Sequence, residues 1–282
     1  MDLSRLVDRL DTELDTAAYA DLDASANGLQ IGPTTPGADD SGLDDTGEHT
    51  VTTDTPASDA PTTDVDHVAF AVDAATATAA AAAEAGADLL VTHHGVIWGG
   101  LDRVTGRVYD RVTAFTDAEL ALYVSHLPLD GHQTLGNAAG LADLLELEQR
   151  APFGEIGPEY LGQRGLAPEP YTTDGLASLL EERLDHDGRG VQVLEFGPDE
   201  IERVAILTGS GADWLDEAVA AGADAFVTGE GKQQLYHEAR ESEITVFLAG
   251  HYATETFGVR ALAERVDDWG LETTVVDHPT GL

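Results

Sequence analysis

The sequence predicts an α/β protein of repeated strand–helix units, with helices packed on mixed sheets. Short apolar runs that suit buried strands alternate with stretches of helical periodicity along most of the chain. The segment 84–92 is echoed by the segment 220–228, which suggests a duplicated unit with pseudo-twofold architecture. Hydrophobic residues make up 42% of the 282 residues, which is enough to bury a core.

The first part of the chain contains a helix, a short strand and a segment of unusual composition. We predict an amphipathic helix at 4–18 and a turn into a short strand at 27–32. From Pro33 to Asp64 the chain is rich in Thr, Asp, Gly, Pro and Ser, with almost no large apolar residue. We expect the segment 33–64 to be an acidic, disordered surface insertion without a function of its own.

Strands and helices are then predicted to alternate up to residue 145. Strands are expected at 67–72, 87–92 and 120–125. Helices are expected at 73–86, where Gly86 supplies the C-cap, at 103–117 and at 135–145.

The segment 146–190 has a less regular pattern, with one predicted helix at 174–184, and we interpret it as a subdomain or an inserted segment. The alternation then returns. Strands are expected at 204–207, 225–228, 245–249 and 271–276, and helices at 214–221, 233–242 and 254–269.

The charge balance indicates a salt-rich environment. The formal net charge is −39, from 53 acidic and 14 basic side chains, and Lys232 is the only lysine. In a halophile's cytoplasm, salt screens the repulsion of such a surface. An acidic chaperone or a disordered acidic protein would lack the periodic apolar blocks seen here. No basic stripe is present, which argues against nucleic acid as a partner.

The remaining composition restricts the chemistry and the location. The chain has no cysteine, so disulfides and thiolate ligands are excluded and any metal must bind to nitrogen and oxygen. The sequence shows no secretion signal and no apolar run of membrane-spanning length. We therefore expect a cytoplasmic protein.

Three polar motifs that suit metal binding follow predicted strands. They are Thr92-His93-His94-Gly95, Ser125-His126-Leu127-Pro128-Leu129-Asp130 and Gly250-His251-Tyr252-Ala253-Thr254-Glu255. Imidazole and carboxylate ligands together suit Zn, Fe, Mn, Co or Ni. Neighbouring side chains diverge at an extended strand end, so His93 and His94 could serve two ions lying side by side. Each motif alone also fits a surface position, and only their joint occurrence favours a metal site.

Together with Asn27-Gly28-Leu29-Gln30, Gly209-Ser210-Gly211 and the segment 222–230, these motifs resemble the Nif-three-like family of dinuclear metal centre proteins, also called GTP cyclohydrolase 1 type 2 homologues. The resemblance covers almost the whole chain outside the segment 33–64. It implies one domain of two α/β lobes over 1–282. On this basis we expect an N-terminal lobe at 1–150, a connecting segment at 151–190 and a C-terminal lobe at 191–282.

The resemblance also implies two divalent metal ions per chain in the cleft between the lobes, and assembly into a homohexameric ring. The implied ligands are His93, His94, Asp130, His251 and Glu255, with Glu255 bridging both ions. His126 and His237 are the candidate catalytic residues. The chain departs from the family pattern at Leu127 and Pro128, where polar residues are usual, so polar contacts to a substrate are not expected there.

A site with open coordination positions on both ions predicts a metal-dependent hydrolase. The resemblance suggests a nucleotide-like or phosphoester substrate, with a GTP cyclohydrolase type of reaction as one form. Gly209-Ser210-Gly211 lacks the Lys-Ser/Thr of a P-loop, so the sequence does not identify a nucleotide pocket. The alternative is a non-enzymatic metal-handling or partner-binding scaffold, whose site would be coordinatively closed.

Overall fold

The computed structural model describes residues 1–33 and 64–282 and contains two sheets. In the first sheet the order is β1-β4-β3-β2-β11. Its strands are β1 (Gly28–Ile31), β2 (His67–Asp73), β3 (Leu89–His94), β4 (Ala121–Val124) and β11 (Glu272–Val275). Only β1 runs antiparallel to its neighbour.

The second sheet has six strands in the order β5-β6-β8-β9-β10-β7. Its strands are β5 (Glu148–Ile156), β6 (Glu159–Tyr171), β7 (Gln192–Leu194), β8 (Ile201–Ile206), β9 (Ala225–Thr228) and β10 (Thr245–Leu248). β8, β9 and β10 are parallel, and antiparallel strands flank them on both sides. The predicted fold class, duplicated α/β units on mixed sheets, is therefore confirmed.

Helices connect the strands and cover the sheets. They are α1 (Leu3–Leu14), α2 (Thr76–Glu84), α3 (Arg107–Asp117), α4 (Leu127–Gly131), α5 (Asn137–Leu144), α6 (Thr173–Arg183), α7 (Leu215–Ala220), α8 (Leu235–Glu241), α9 (His251–Thr254) and α10 (Thr256–Asp268). Helix α1 begins at Asp2, whose carboxylate accepts backbone N–H groups of the first turn. Its Leu6 and Leu10 are fully buried in a core that also contains Phe70. No helix in the described part of the chain is long and apolar enough to cross a membrane.

The sequence echo corresponds to the same local construction in both sheets. The carboxylate of Asp88, just before β3, accepts hydrogen bonds from the backbone N–H groups of positions 66 and 67, at 2.9 and 3.0 Å. The carboxylate of Asp224, just before β9, accepts the equivalent bonds from positions 202 and 203, at 3.1 and 2.8 Å. Each aspartate thus accepts hydrogen bonds from backbone N–H groups near the start of the neighbouring strand and aligns two parallel strands.

The structure corrects two sequence predictions. The segment 146–190, predicted to be less regular, supplies the hairpin β5–β6 and the helix α6 to the second sheet and its core. The chain also returns to the first sheet after residue 255, because α10 packs on β2 and β11 pairs with β2. The predicted insertion 33–64 lies, apart from its two end residues, outside the described residues.

Candidate metal centre

His93 and His94 reach the site as the last two residues of the central strand β3. The strand therefore extends two residues further than predicted. His93 is completely buried, and its Nδ1 lies 3.0 Å from the carbonyl oxygen of Ser125. Nδ1 of His94 lies 2.9 Å from a carboxylate oxygen of Asp73, at the end of the neighbouring strand β2. The two rings are 4.7 Å apart and tilted by 46°.

His126 and Asp130 follow β4, which is also in the first sheet. His126 directly precedes the short helix α4, and Asp130 lies within α4, one helical turn after His126. Nδ1 of His126 lies 2.9 Å from Oδ1 of the buried Asp23. The side-chain amide of Asn137 donates a 2.9 Å hydrogen bond to Oδ1 of Asp130 and leaves Oδ2 directed towards His93.

His251 and Glu255 come from the second sheet, after β10. Nδ1 of His251 lies 3.2 Å from the carboxylate of Glu230. The carboxylate of Glu255 lies against Gly209, where a β-carbon would be only 2.1 Å from Oε1. Gly209 also has a φ of +59°, which favours glycine. The loop after β8 is therefore shaped around the Glu255 carboxylate.

Each of the four imidazoles engages Nδ1 with a carboxylate or a carbonyl oxygen. This is the arrangement of histidines that bind a metal through Nε2, because the second contact fixes the ring and its tautomer. Three groups of residues bring their ligand atoms within 4.8 Å of one another. They are His94, His251 and Glu255; His93, Asp130 and Glu255; and His93, His94 and His126.

Two buried atoms of this cluster form no hydrogen bond, which tests the fit to a metal. They are Nε2 of His93 and Oε2 of Glu255. Nε2 of His93 lies 3.5 Å from Oε1 of Glu255 and 3.6 Å from Oδ2 of Asp130, too far for good hydrogen bonds. Unpaired polar atoms are costly in a buried site unless they bind an ion. The donor set of imidazoles and carboxylates therefore fits divalent metal ions.

The charges of the cluster lead to the same conclusion. Burial lowers the pKa of His93, but the carboxylates of Asp130 and Glu255 outweigh it and raise the pKa to about 10. Burial likewise lowers the pKa of His251, yet Glu255 and Glu230 raise it to about 9. Burial raises the pKa of Glu255, but the surrounding imidazoles hold it well below its usual range. The cluster thus favours positive charge at its centre, which dications supply while the imidazoles stay neutral.

The cluster opens onto a cavity of about 470 Å³ between the two sheets. The polar wall contains His94, His126, Asp130, His251 and Glu255. The rest of the lining is mostly apolar, with two tryptophans and three leucines beside Thr208 and Ser210. Leu127 is one of them, so the departure from the family pattern at this position makes the cavity more apolar.

The structure brings six of the seven predicted site residues together, the exception being His237. The helix α8 was predicted, but it buries Leu235 and Ala239 and turns His237 to the solvent. The His237 ring meets that of Tyr236 edge to face, at 5.4 Å, and does not line the cavity. The sequence reasoning missed the carboxylates that hold the imidazoles, which are Asp23, Asp73 and Glu230. Asp73 and Glu230 each gave a signal, because Asp73 directly follows the predicted strand 67–72 and Glu230 ends the segment 222–230, just after the predicted strand 225–228.

The fold and the cluster define a class of protein: duplicated α/β sheets with a histidine–carboxylate cluster that could hold metal ions between them. Residues 58–280 match the family described as Duf34/NIF3 (NGG1p interacting factor 3), and the chain belongs to this family. It is 52% identical over 282 residues to a protein of Halobacterium salinarum described as "GTP cyclohydrolase 1 type 2 homolog", and the match covers 100% of both chains.

Solved structures are similar over the whole length. The protein ybgI, described as of unknown function, is 32% identical, covers 100% of both chains and has a TM-score of 0.83. TTHA1606 from Thermus thermophilus is 33% identical over 100% of both chains, with a TM-score of 0.80. The resemblance inferred from the motifs is therefore confirmed.

Proposed function

We propose that this chain binds two divalent metal ions and acts as a metal-dependent hydrolase on a nucleotide-like or phosphoester substrate. One observation carries the proposal: Glu255 is shared by two otherwise separate ligand groups, one with His94 and His251 and one with His93 and Asp130. Its Oε1 faces His93 at 3.5 Å, and its Oε2 faces His94 and His251 at 3.3 and 3.2 Å. A carboxylate with this arrangement suits a bridge between two ions.

The residues of the site would have different chemical roles. Paired divalent ions supply Lewis acidity and generate a nucleophile from water at neutral pH. His126 has Nδ1 held by Asp23 and faces the cavity, which suits a group that moves a proton between water and the leaving group. His126 could also bind a metal, because its ligand atom lies with those of His93 and His94.

The relatives support a hydrolytic reaction on a nucleotide. The proteins of Halobacterium salinarum and Pyrococcus abyssi both carry the description "GTP cyclohydrolase 1 type 2 homolog". The cavity of about 470 Å³ is in the range of small-molecule sites. A GTP cyclohydrolase type of reaction, which opens the purine ring by hydrolysis, is the specific form of the proposal.

The test is hydrolysis by the metal-loaded protein in molar salt. The protein is loaded in turn with Zn, Mn, Fe, Co and Ni, and each form is given GTP, other nucleotides and phosphoesters. Turnover that chelator abolishes, and that Glu255→Gln reduces by about a hundredfold or more, is the expected result. His237→Ala is the matched control, because this histidine is exposed on α8, and its activity should equal that of the wild type.

Two results would reject the proposal in different ways. A protein without bound metal rejects the metal centre. A protein that binds two ions but turns over none of the substrates with any metal is a metal-handling or scaffold protein instead. Such a protein should transfer its metal to a chelator slowly and completely, without any product being formed.

Self-assembly, with the hexamer as the expected form, belongs to the same proposal. The segment before and at the start of α3 exposes Leu101, Val104 and Tyr109, which are 39%, 46% and 56% exposed. Such an apolar surface is typical of a contact between subunits. Light scattering in molar salt should give a mass near six times 29.7 kDa. A monomeric mass would reject the assembly without affecting the metal centre.

A further inference from the structure

The part of the cavity lining outside the histidine–carboxylate cluster has a chemistry of its own. Besides Thr208 and Ser210 it contains five apolar residues, which are Trp98, Leu127, Leu161, Leu207 and Trp214. Three of these residues come from the second sheet and its loops, and two come from the first. The cluster can act on a bond of a substrate, but it does not explain why the space beside it is apolar and aromatic.

Trp98 is a fixed aromatic surface at the mouth of the cavity. Its indole Nε1 donates a 3.1 Å hydrogen bond to the carbonyl of Gly95. Its ring meets the ring of His126 edge to face, at 4.9 Å and 73°. The side-chain amide oxygen of Gln30 also accepts hydrogen bonds from the backbone N–H groups of positions 96 and 97, at 2.9 and 3.1 Å. The polar atom of Trp98 is therefore satisfied, while the residue remains 42% exposed.

Trp214 is held in the same way from the second sheet. Its Nε1 donates a 3.1 Å hydrogen bond to the carbonyl of Glu155 in β5. Since both indole N–H groups are used within the protein, these rings offer a substrate flat apolar contact and no hydrogen bond. Rings that are locked before binding lose little entropy on stacking, which favours a flat ligand.

The charges around the cavity limit what that ligand carries. Within residues 1–33 and 64–282, no lysine or arginine lines the cavity, and the segment 34–63 contains neither residue in its sequence. The only lysine, Lys232, is paired with Asp213. A polyphosphate chain would find no protein cation on this wall, in a chain of net charge −39. An uncharged ring would meet no electrostatic penalty there.

We propose that Trp98 and Trp214 form an aromatic subsite, which binds a flat, uncharged heteroaromatic ring of the substrate beside the cluster. This inference rests on the proposed function, and it narrows the substrate class to nucleobase- or nucleoside-like compounds. A nucleoside triphosphate should gain no affinity from its phosphates on the protein side. Leu127 extends the same surface next to His126, so the reacting bond lies next to the ring.

The test is calorimetric binding of guanosine, adenosine and uridine to the full chain in molar salt, with metal and with chelator. At least one nucleoside should bind in both forms. Trp98→Leu and Trp214→Leu should each weaken binding about tenfold, and Trp98→Phe should keep most of the affinity. The matched control is Trp269→Leu, because Trp269 stacks on Arg9, at 4.0 Å, and does not line the cavity. In chelator, ribose 5-phosphate should not bind, and GTP should bind no more tightly than guanosine.

Several results would overturn the subsite. Failure of all three nucleosides to bind is one, and unchanged affinity in both Trp→Leu variants is another. If Trp98→Leu alters the mass of the assembly but not the nucleoside affinity, Trp98 is a subunit contact instead. Thermal unfolding identifies a variant that fails to fold, and Trp98→Phe then decides the question.

The outcome is separable from that of the proposed function. If ring binding depends on the tryptophans and no hydrolysis is found, the subsite is supported and the hydrolase is rejected. If hydrolysis depends on metal and ring binding is unchanged in both tryptophan variants, the hydrolase is supported and the subsite is rejected.

Discussion

The ends of β4 and β10 use the same pair of residue types with different support. β4 is followed by His126 and Asp130, and β10 by His251 and Glu255, with a spacing of four in both pairs. Nδ1 of His126 is held by Asp23, whose side chain is only 2% exposed, at 2.9 Å. Nδ1 of His251 is held by Glu230, whose side chain is 51% exposed, at 3.2 Å. The first sheet thus fixes its histidine from within, and the second does so from the surface.

The carboxylates of Asp130 and Glu255 also differ in how many of their oxygen atoms remain free for the cluster. Asp130 gives one oxygen to the amide of Asn137 and keeps one for the cluster. Glu255 keeps both oxygens for the cluster, at 3.2 to 3.5 Å from three imidazoles. The same spacing would therefore supply a terminal ligand in one half and a carboxylate able to bridge two ions in the other, and the difference comes from neighbours distant in sequence.

The largest effect is expected when the two carboxylates are exchanged for amides one at a time. Glu255→Gln should lose most of both ions, whereas Asp130→Asn should keep about one ion per chain, because it serves one ligand group only. Elemental analysis after gel filtration measures this. Equal metal content in the two variants would show that the carboxylates have equivalent roles.

A somewhat smaller effect on metal binding is expected at Gly209, which leaves room for the Glu255 carboxylate. In Gly209→Ala the new β-carbon would lie 2.1 Å from Oε1 of Glu255, so metal affinity should fall about 10- to 100-fold. The control is Gly86→Ala, where φ is +77° but no atom lies within 4 Å of the new carbon. Both variants should lose about 1 kcal/mol of stability. Competition with a fluorescent chelator measures the metal affinity. An equal loss of metal affinity in Gly86→Ala would show a general effect of replacing a glycine rather than a steric effect on Glu255.

The third effect compares two of the carboxylates that hold the imidazoles, those of Asp23 and Glu230. Burial raises the pKa of Asp23, but His126 and other donors outweigh it and lower the pKa from 3.8 to about 2. Its charged form therefore stabilises the fold by about 2 kcal/mol above pH 4, a contribution that falls to about half by pH 3. Asp23→Asn should cost about this amount at pH 7, and Glu230→Gln, which is half exposed, less than about 0.5 kcal/mol.

Chemical unfolding in chelator between pH 7 and pH 3 tests this comparison. The difference between wild type and Asp23→Asn should shrink as the pH falls, because the wild type loses the contribution of the Asp23 carboxylate. A difference that stays constant with pH would assign the cost to packing rather than to charge.

The last effect concerns the whole fold. With a net charge of −39, the chain repels itself once salt is diluted. Metal that binds across both sheets stabilises the native state by mass action, about 2.7 kcal/mol at a hundredfold excess over Kd. Unfolding on dilution should therefore occur at lower salt with metal than with chelator, as followed by circular dichroism. The same midpoint in both conditions would reject a metal link between the sheets.

Local patterns sufficed for the strands and for the cluster itself. β2, β9 and β10 were predicted to within one residue, because each is a continuous apolar run buried on both faces. The family resemblance, carried by motifs at the strand ends, named the six residues that converge, and they converge because each motif follows the carboxyl end of a parallel strand. The hairpin β5–β6 was missed since few of its side chains are buried, so that it lacks apolar alternation.

What the sequence did not reveal is set by contacts between distant segments. Asp23 is one among 53 acidic residues, and nothing local distinguishes it from a surface acid. His237 has the right residue type, and only the phase of α8, fixed by Leu235 and Ala239, turns it away. The apolar wall was equally hidden, because its tryptophans come from loops of the two different sheets.

The pairing of Lys232 with Asp213 has a practical consequence. Lys232 carries the only side-chain amine among 282 residues, and there is no cysteine. Asp213 directly precedes Trp214, which lines the cavity. An amine-reactive dye thus has a single side-chain target, placed close to an indole that can quench it. Labelling the natural sequence would give an optical reporter of events in the cleft, without any engineered residue.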